Sequence, residues 1–243
     1  KLSSTTISHK TGENKYEIDK ITKVIPTENA DNLKVYNHTA IGEETAETDK
    51  LERVIKTTKK GGDLEKNYEY KTVGRRTSNL VSKETFKVSL QNDRVLSYDY
   101  DSLGRVVQVN QIENGVSEVK IKYVYDGLGR LIQEQNAFMD KSSIYSYDNA
   151  GNITLKVEYC YNEYSPFDDS DYIQTTQYSY TNGRLNNVVV FDDYESEQSS
   201  CAYDEIGNPT NYLGRVATWS HGHRLDNFGG AHFTYNTSGI RTR

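Results

Sequence analysis

Proline is nearly missing from this chain, with three in 243 residues, and no proline- or glycine-rich linker divides it. One continuous structure is therefore expected, not two domains on a tether. Cysteine occurs only at Cys160 and Cys201, so at most one intrachain bridge is possible. No apolar run approaches the roughly 20 residues with which a helix spans a bilayer, and Lys1 to Lys10 lack the apolar core of a signal peptide. Positive charge is in deficit, 29 Lys and Arg against 35 Asp and Glu for a net charge of −6, which argues against a nucleic-acid groove. Also missing are a phosphate-binding glycine loop ending in Lys-Ser/Thr, a zinc-protease helix motif and a nucleophile elbow. Neither catalysis nor a cofactor is expected. Apolar residues make up only 35% of the chain and mean hydropathy is −0.81, a composition that borders on disorder.

What the chain does have is tyrosine, 20 residues of it, and the tyrosines are periodic. Aromatic pairs two residues apart recur at Tyr68/Tyr70, Tyr98/Tyr100, Tyr123/Tyr125, Tyr145/Tyr147, Tyr178/Tyr180 and Phe233/Tyr235. Residues so spaced share one face of a strand. The fullest copies continue as Tyr100-Asp101-Ser102-Leu103-Gly104-Arg105 and Tyr125-Asp126-Gly127-Leu128-Gly129-Arg130. The frame persists with substitutions in Tyr147-Asp148 to Gly151, Tyr203-Asp204 to Gly207, and Tyr235 to Gly239. Looser copies are Thr48-Asp49 to Arg53, Tyr70 to Gly74, and Trp219 to Gly222.

Asp at the first and Gly at the fourth position is the preference of a type I turn, closed by a left-handed glycine and a bulge. The copy at Tyr180 is one residue shorter and supplies Asn182-Gly183 before Arg184, the dipeptide of the tighter two-residue hairpin. Each copy is thus a β-hairpin, and repeated hairpins that bury surface against their neighbours make a repeat architecture. The fold expected is all-β, repeated antiparallel hairpins in a continuous curved or spiralling sheet, over residues 48–243. Residues 1–47 hold alternating fragments such as Ile18, Lys20, Thr22 and Val24, read as further strand and loop. The tyrosine pairs should stack across hairpins and be mostly buried, and the repeat arginines should link successive hairpins through carboxylates.

The Tyr-Asp-x-x-Gly-Arg unit resembles the YD repeats of the Rhs family, found in polymorphic toxins, wall-associated proteins, the C component of insecticidal toxin complexes and teneurins. The resemblance covers about residues 48–243. Its most specific part runs from Gly207-Asn208-Pro209 through Trp219 and Arg224-Leu225 to Gly239-Ile240-Arg241-Thr242, similar to the run ahead of the Rhs-associated core. No Asp-Pro-x-Gly-Leu core motif, and hence no self-cleaving aspartate pair, is present. The resemblance implies a shell segment of a secreted or bacterial cell-surface protein, a piece of a longer polypeptide, its partners the remaining repeats and an enclosed C-terminal toxin domain. About 16 strands would cover on the order of 2,000 to 2,500 Å², less than half of the roughly 6,000 Å² needed around a small toxin. A module that binds cell-surface carbohydrate or a receptor is the alternative, since tyrosine rows also suit sugar rings. Weak, salt-sensitive self-association through open sheet edges is a further expectation.

Other candidates for chemistry are sparse. Two strands separate Cys160 from Cys201 in a hairpin meander, about 14 Å sideways and beyond the ~7 Å reach of a bridge, so two free thiols are expected. His221 and His223 are read as sharing a strand face that His232 or Asp226 could complete as a metal site, against the plainer reading of polar residues flanking Gly222. Glu163, Asp168, Asp169 and Asp171 form an acidic loop that departs from the calcium-loop pattern, with Gln174 where that loop needs glycine.

Overall fold

The computed structural model describes residues 3–12, 15–26, 33–39, 42–59, 64–74 and 76–242, with side chains from residue 44 onward. It is all-β and antiparallel, and the chain divides into two compact units, residues 1–122 and 123–243. The first holds β1 (Ser3–Gly12), β2 (Lys15–Pro26), β3 (Leu33–Thr39), β4 (Gly42–Thr48), β5 (Val54–Lys59), β6 (Leu64–Val73), β7 (Arg76–Val88), β8 (Arg94–Tyr100), β9 (Val106–Glu113) and most of β10 (Val116–Tyr125). The second holds β11 (Leu131–Asn136), β12 (Lys141–Tyr147), β13 (Ile153–Cys160), β14 (Tyr172–Thr181), β15 (Arg184–Phe191), β16 (Ser196–Tyr203), β17 (Pro209–Tyr212), β18 (Arg215–Ser220), β19 (Arg224–Phe228) and β20 (Ala231–His232). Within each unit every strand pairs with the next in sequence. The segment read as strand and loop before residue 48 contains β1 to β4.

A meander of this kind has two edges, because successive loops close opposite ends of the strands. One edge carries the tyrosine-frame turns. The other carries the returns, which in the second unit are residues 137–140, 161–171, 192–195, 213–214 and 229–230. The register slips by one residue at the frame aromatic, between Asp99 and Tyr100, Ser146 and Tyr147, Ser179 and Tyr180, Ala202 and Tyr203, and Thr218 and Trp219. Each of these five turns is therefore a hairpin with a bulge whose extra residue re-aims the ring.

The interior is thin. Among the described residues only Val109, Val188 and Ala217 are buried apolar side chains, against seven buried polar ones, Ser142 and Glu158 among them. The tyrosines of the frame are half-buried, which corrects the expectation of mostly buried rings. Within a unit the strands pair side by side, and a sheet by itself covers a ring only from its flanks.

Candidate functional site: the latched turn edge

The frame aspartate closes its own turn with both carboxylate oxygens. In the Asp126 copy Oδ1 accepts the backbone N–H of Leu128 and Arg130, each at 2.9 Å, while Oδ2 accepts Arg130 Nε–H at 2.7 Å. The backbone adds Asp126 N–H to the Arg130 carbonyl and Gly129 N–H to the Asp126 carbonyl. The same set recurs at Asp49, Asp101, Asp148 and Asp204, with Asn152 and Asn208 replacing arginine in the last two. Bonds from Arg130 and Leu128 to the ionised form hold the Asp126 carboxyl below its usual range, and those from Arg105 and Leu103 do so for Asp101. The glycines at 104, 129, 151, 207 and 239 have φ of 80°, 83°, 90°, 97° and 78°, the left-handed region that the bulged turn requires. Asn182 and Gly183, at 53° and 74°, form the tighter turn that the shortened copy predicts.

The turns are joined by a second set of contacts that the sequence frame does not reveal. The frame aromatic of seven copies reaches back to the carbonyl of a residue in the preceding hairpin. Tyr147 Oη–H donates to the Leu131 carbonyl at 2.6 Å, Tyr180 to Ile153 at 3.0 Å, Tyr203 to Leu185 at 2.9 Å and Tyr235 to Leu225 at 3.0 Å. In the first unit Tyr70 reaches Val54 at 2.6 Å and Tyr100 reaches Val81 at 2.7 Å. Trp219, the one tryptophan, fills the same place: its indole N–H donates to the Pro209 carbonyl at 2.7 Å. Except for Val81, each acceptor is the residue just after the Arg or Asn that ends the preceding turn. The ring requirement is thus an aromatic with a polar hydrogen at its far end, which Phe cannot meet.

Arginine completes the latch. Arg53 lies 4.3 Å from the Tyr70 ring centroid, Arg130 4.8 Å from Tyr147, Arg184 5.6 Å from Tyr203 and Arg224 5.1 Å from Tyr235, all within cation–π range. Arg130 also donates to the Asp148 carbonyl of the next turn at 3.0 Å. The expected arginine-to-carboxylate ladder between hairpins is corrected: the carboxylate belongs to the same turn, four residues back, and the link between hairpins is arginine to ring and to carbonyl. Short turns leave Asp and Arg of one copy closer than those of two. At Gly207 a Cβ would stand 2.7 Å from an Arg184 guanidinium nitrogen, so that glycine serves both turn and latch.

Two copies depart from the frame. Around Tyr70, Lys71 replaces aspartate, and β6 runs on to Val73 before Gly74 turns the chain with φ 62°. Its latch to Val54 survives, so latch and turn chemistry are separable. In the Trp219 copy His221, Gly222 and His223 form the turn itself rather than one face of a strand. His223 Nδ1 sits 2.6 Å from Asn208 Oδ1, while Asn208 Nδ2 donates to Asp204 and to the Gly222 carbonyl. Asn208, buried, ties two turns together.

One sheet face carries the tyrosines with a polar ladder. Tyr98 donates to Glu84 at 2.9 Å, and Lys66 approaches the same carboxylate at 3.7 Å; desolvation, then the Glu84 bond, pushes the Tyr98 hydroxyl well above its usual value. In the second unit burial alone would raise Glu158, but Gln174, Lys156 and Lys141 all bond to it and bring it down to about 2. Cys160 is exposed and Cys201 half-buried, both free thiols. Asp168 caps a single 3₁₀ turn at Asp169–Asp171, and among the described residues no group of three or more His, Cys, Asp or Glu is arranged to hold a metal. No protein-family model matches the chain, and no curated protein matches it.

Proposed function

We propose that this chain is a non-catalytic wall segment of an Rhs-type YD-repeat shell, one that encloses and helps deliver a toxin domain of a longer secreted or bacterial cell-surface polypeptide. The latch is the observation that carries this reading. Every copy from Tyr147 onward is bonded to its predecessor by an aromatic donor and a backbone carbonyl, so a load on one hairpin is passed to the next. Half-buried residues on both faces suit a wall with water on each side, whereas a catalytic pocket needs a dry, preorganised cavity. The motif resemblance supplies the toxin and the compartment.

A cell-surface carbohydrate- or receptor-binding module is the second reading, favoured by the half-buried rings of Tyr98 and Tyr145, whose hydroxyls sit beside the Glu84 and Glu134 carboxylates. Electron microscopy of the parent polypeptide tests the first. The shell reading expects residues 44–242 in the wall of a hollow particle, and a sheet stacked solid against another domain overturns it. Saturable binding on a glycan array, lost in Tyr98→Phe or Tyr145→Phe, would favour the module.

A further inference from the structure

A second repeat lies on the return edge of the second unit, outside the tyrosine frame. Asn136 Oδ1 accepts the N–H of Phe138 and Met139 at 3.1 and 3.2 Å. Asn162 Oδ1 accepts Tyr164 and Ser165 at 3.1 and 3.2 Å, and Asp192 Oδ1 accepts Tyr194 and Glu195, both at 2.8 Å. An Asx side chain that closes its own turn in this way holds the next two or three residues at the loop tip. There Met139 is 67% exposed, Tyr164 93% and Tyr194 92%. Consecutive returns are two strands apart, about 10 Å, and the first two are joined by Tyr161 N–H to the Asp140 carbonyl at 3.2 Å. The longest return is anchored as well, because Phe167 meets the Tyr159 ring edge-on at 5.7 Å.

Two tyrosines presented this fully offer on the order of 300 to 500 Å², the size of the largest patch on an ordinary monomer, and tyrosine is enriched at binding hot spots. Charge selects the occupant. Residues 137–140, 161–171 and 192–195 contain eight Asp and Glu and no Lys or Arg. Lys141, which follows the first of these loops, is engaged by Glu158, and none of the eight is ion-paired among the described residues. We propose that this edge docks a Lys/Arg-rich segment of a partner protein, cationic side chains lying over Tyr164 and Tyr194 and against Glu163, Asp169 and Asp193. The proposal is independent of the shell reading, since it concerns the edge that the latches leave free.

Fluorescence anisotropy of a fluorescein-labelled nona-arginine peptide with the full chain tests it. The parent should bind, more weakly as salt rises. Tyr164→Ser with Tyr194→Ser should raise Kd about tenfold, the sum of two exposed cation–π contacts. Glu163→Gln with Asp169→Asn and Asp193→Asn should weaken binding comparably and flatten its salt dependence. Leu128→Ser with Ile206→Ser, on the opposite edge of the same unit, should leave Kd unchanged. Absence of binding overturns the proposal, as does equal affinity in the tyrosine variant, which would mean general attraction of a polycation to an acidic chain. Two further results overturn it in favour of other occupants: a chain dimer in sedimentation that the tyrosine variant abolishes, or a neutral glycan bound at the same residues.

Discussion

The two edges of the second unit solve the same problem, closing antiparallel strands, by different means. On the frame edge an aspartate clamps its own turn and an aromatic latches the next, so turns of five, two and three residues hold the same relation to their predecessors. On the return edge an Asx residue closes each loop, and the links between successive returns follow no single pattern: a backbone bond from Tyr161 to Asp140, Tyr172 Oη–H to the Phe191 carbonyl at 3.1 Å, and Arg215 at 6.0 Å from the Phe228 ring. The returns span eleven residues at 161–171 and two at 213–214. One edge is fixed because the same contact runs from copy to copy, and the other is free to vary because its links differ from one return to the next. Stability should therefore be concentrated on the first edge and recognition on the second.

The largest expected effect separates the edges directly. Tyr147→Ala removes a half-buried ring, its bond to the Leu131 carbonyl and the seat of Arg130, and should destabilise by about 2 to 3 kcal/mol. Tyr164→Ala on the return edge should stay within about 0.5 kcal/mol. Equal shifts in urea midpoint for the two variants would erase the distinction.

The next effect comes from a polar network between return-side strand ends of the second unit. Glu158 is brought from an ordinary value near 4.5 to about 2, so the unfolded chain takes up a proton before the native chain does. Stability should then fall as pH drops from about 4.5 toward 2, by on the order of 2 kcal/mol after allowance for solvent screening. Glu158→Gln should flatten the upper part of that decline. What remains at lower pH belongs to the turn aspartates, whose carboxyls are also held low. A parent whose stability does not change between pH 5 and 3 would contradict the network.

A smaller effect isolates the latch hydrogen from the ring. Tyr147→Phe keeps the aromatic surface beneath Arg130 and leaves the Leu131 carbonyl without its hydroxyl donor, a loss of about 1 kcal/mol. Tyr194→Phe, whose ring is almost wholly in solvent, should be neutral. Hydrogen exchange at the amides of β11 and β12 provides a second readout, faster in Tyr147→Phe alone.

The sequence made the frame edge legible because its rules are local. Asp at one position and a left-handed glycine three residues later are demanded within a single turn, and the exception at Asn182-Gly183 follows the same logic. The latch was not legible, since Tyr147 and Leu131 meet only through pairing of hairpins. The partner of arginine was hidden for the same reason: sequence shows an Asp and an Arg in the copies at Asp49, Asp101 and Asp126 but not that the two bond to each other. The return repeat has no contrast in the sequence, because its signal is a single Asn or Asp followed two residues later by a large side chain, as at Asn162 and Tyr164, in a chain rich in both. Burial was overestimated from the tyrosine pairing, because alternation reveals which residues share a face but not whether a second layer covers it.

The smallest effect runs in the opposite direction and refines the account of the frame edge. Its earliest described turn, at Asp49, keeps the full clamp, yet Glu52 stands where the other copies have glycine and is held at φ 61°. A non-glycine residue in that region is strained by about 1 kcal/mol. Replacing it with glycine relieves the strain but gives the unfolded chain more freedom, which offsets part of the gain. Glu52→Gly should therefore stabilise by about 0.5 kcal/mol, seen as a slightly higher urea midpoint for the transition that includes β4 and β5. The mirror substitution, Gly129→Val at φ 83°, should destabilise by more than about 1 kcal/mol through the same strain. Opposite signs at equivalent positions are what a shared left-handed turn demands; if both variants destabilise, the Asp49 loop holds its shape by some means other than the clamp it shares with Asp126.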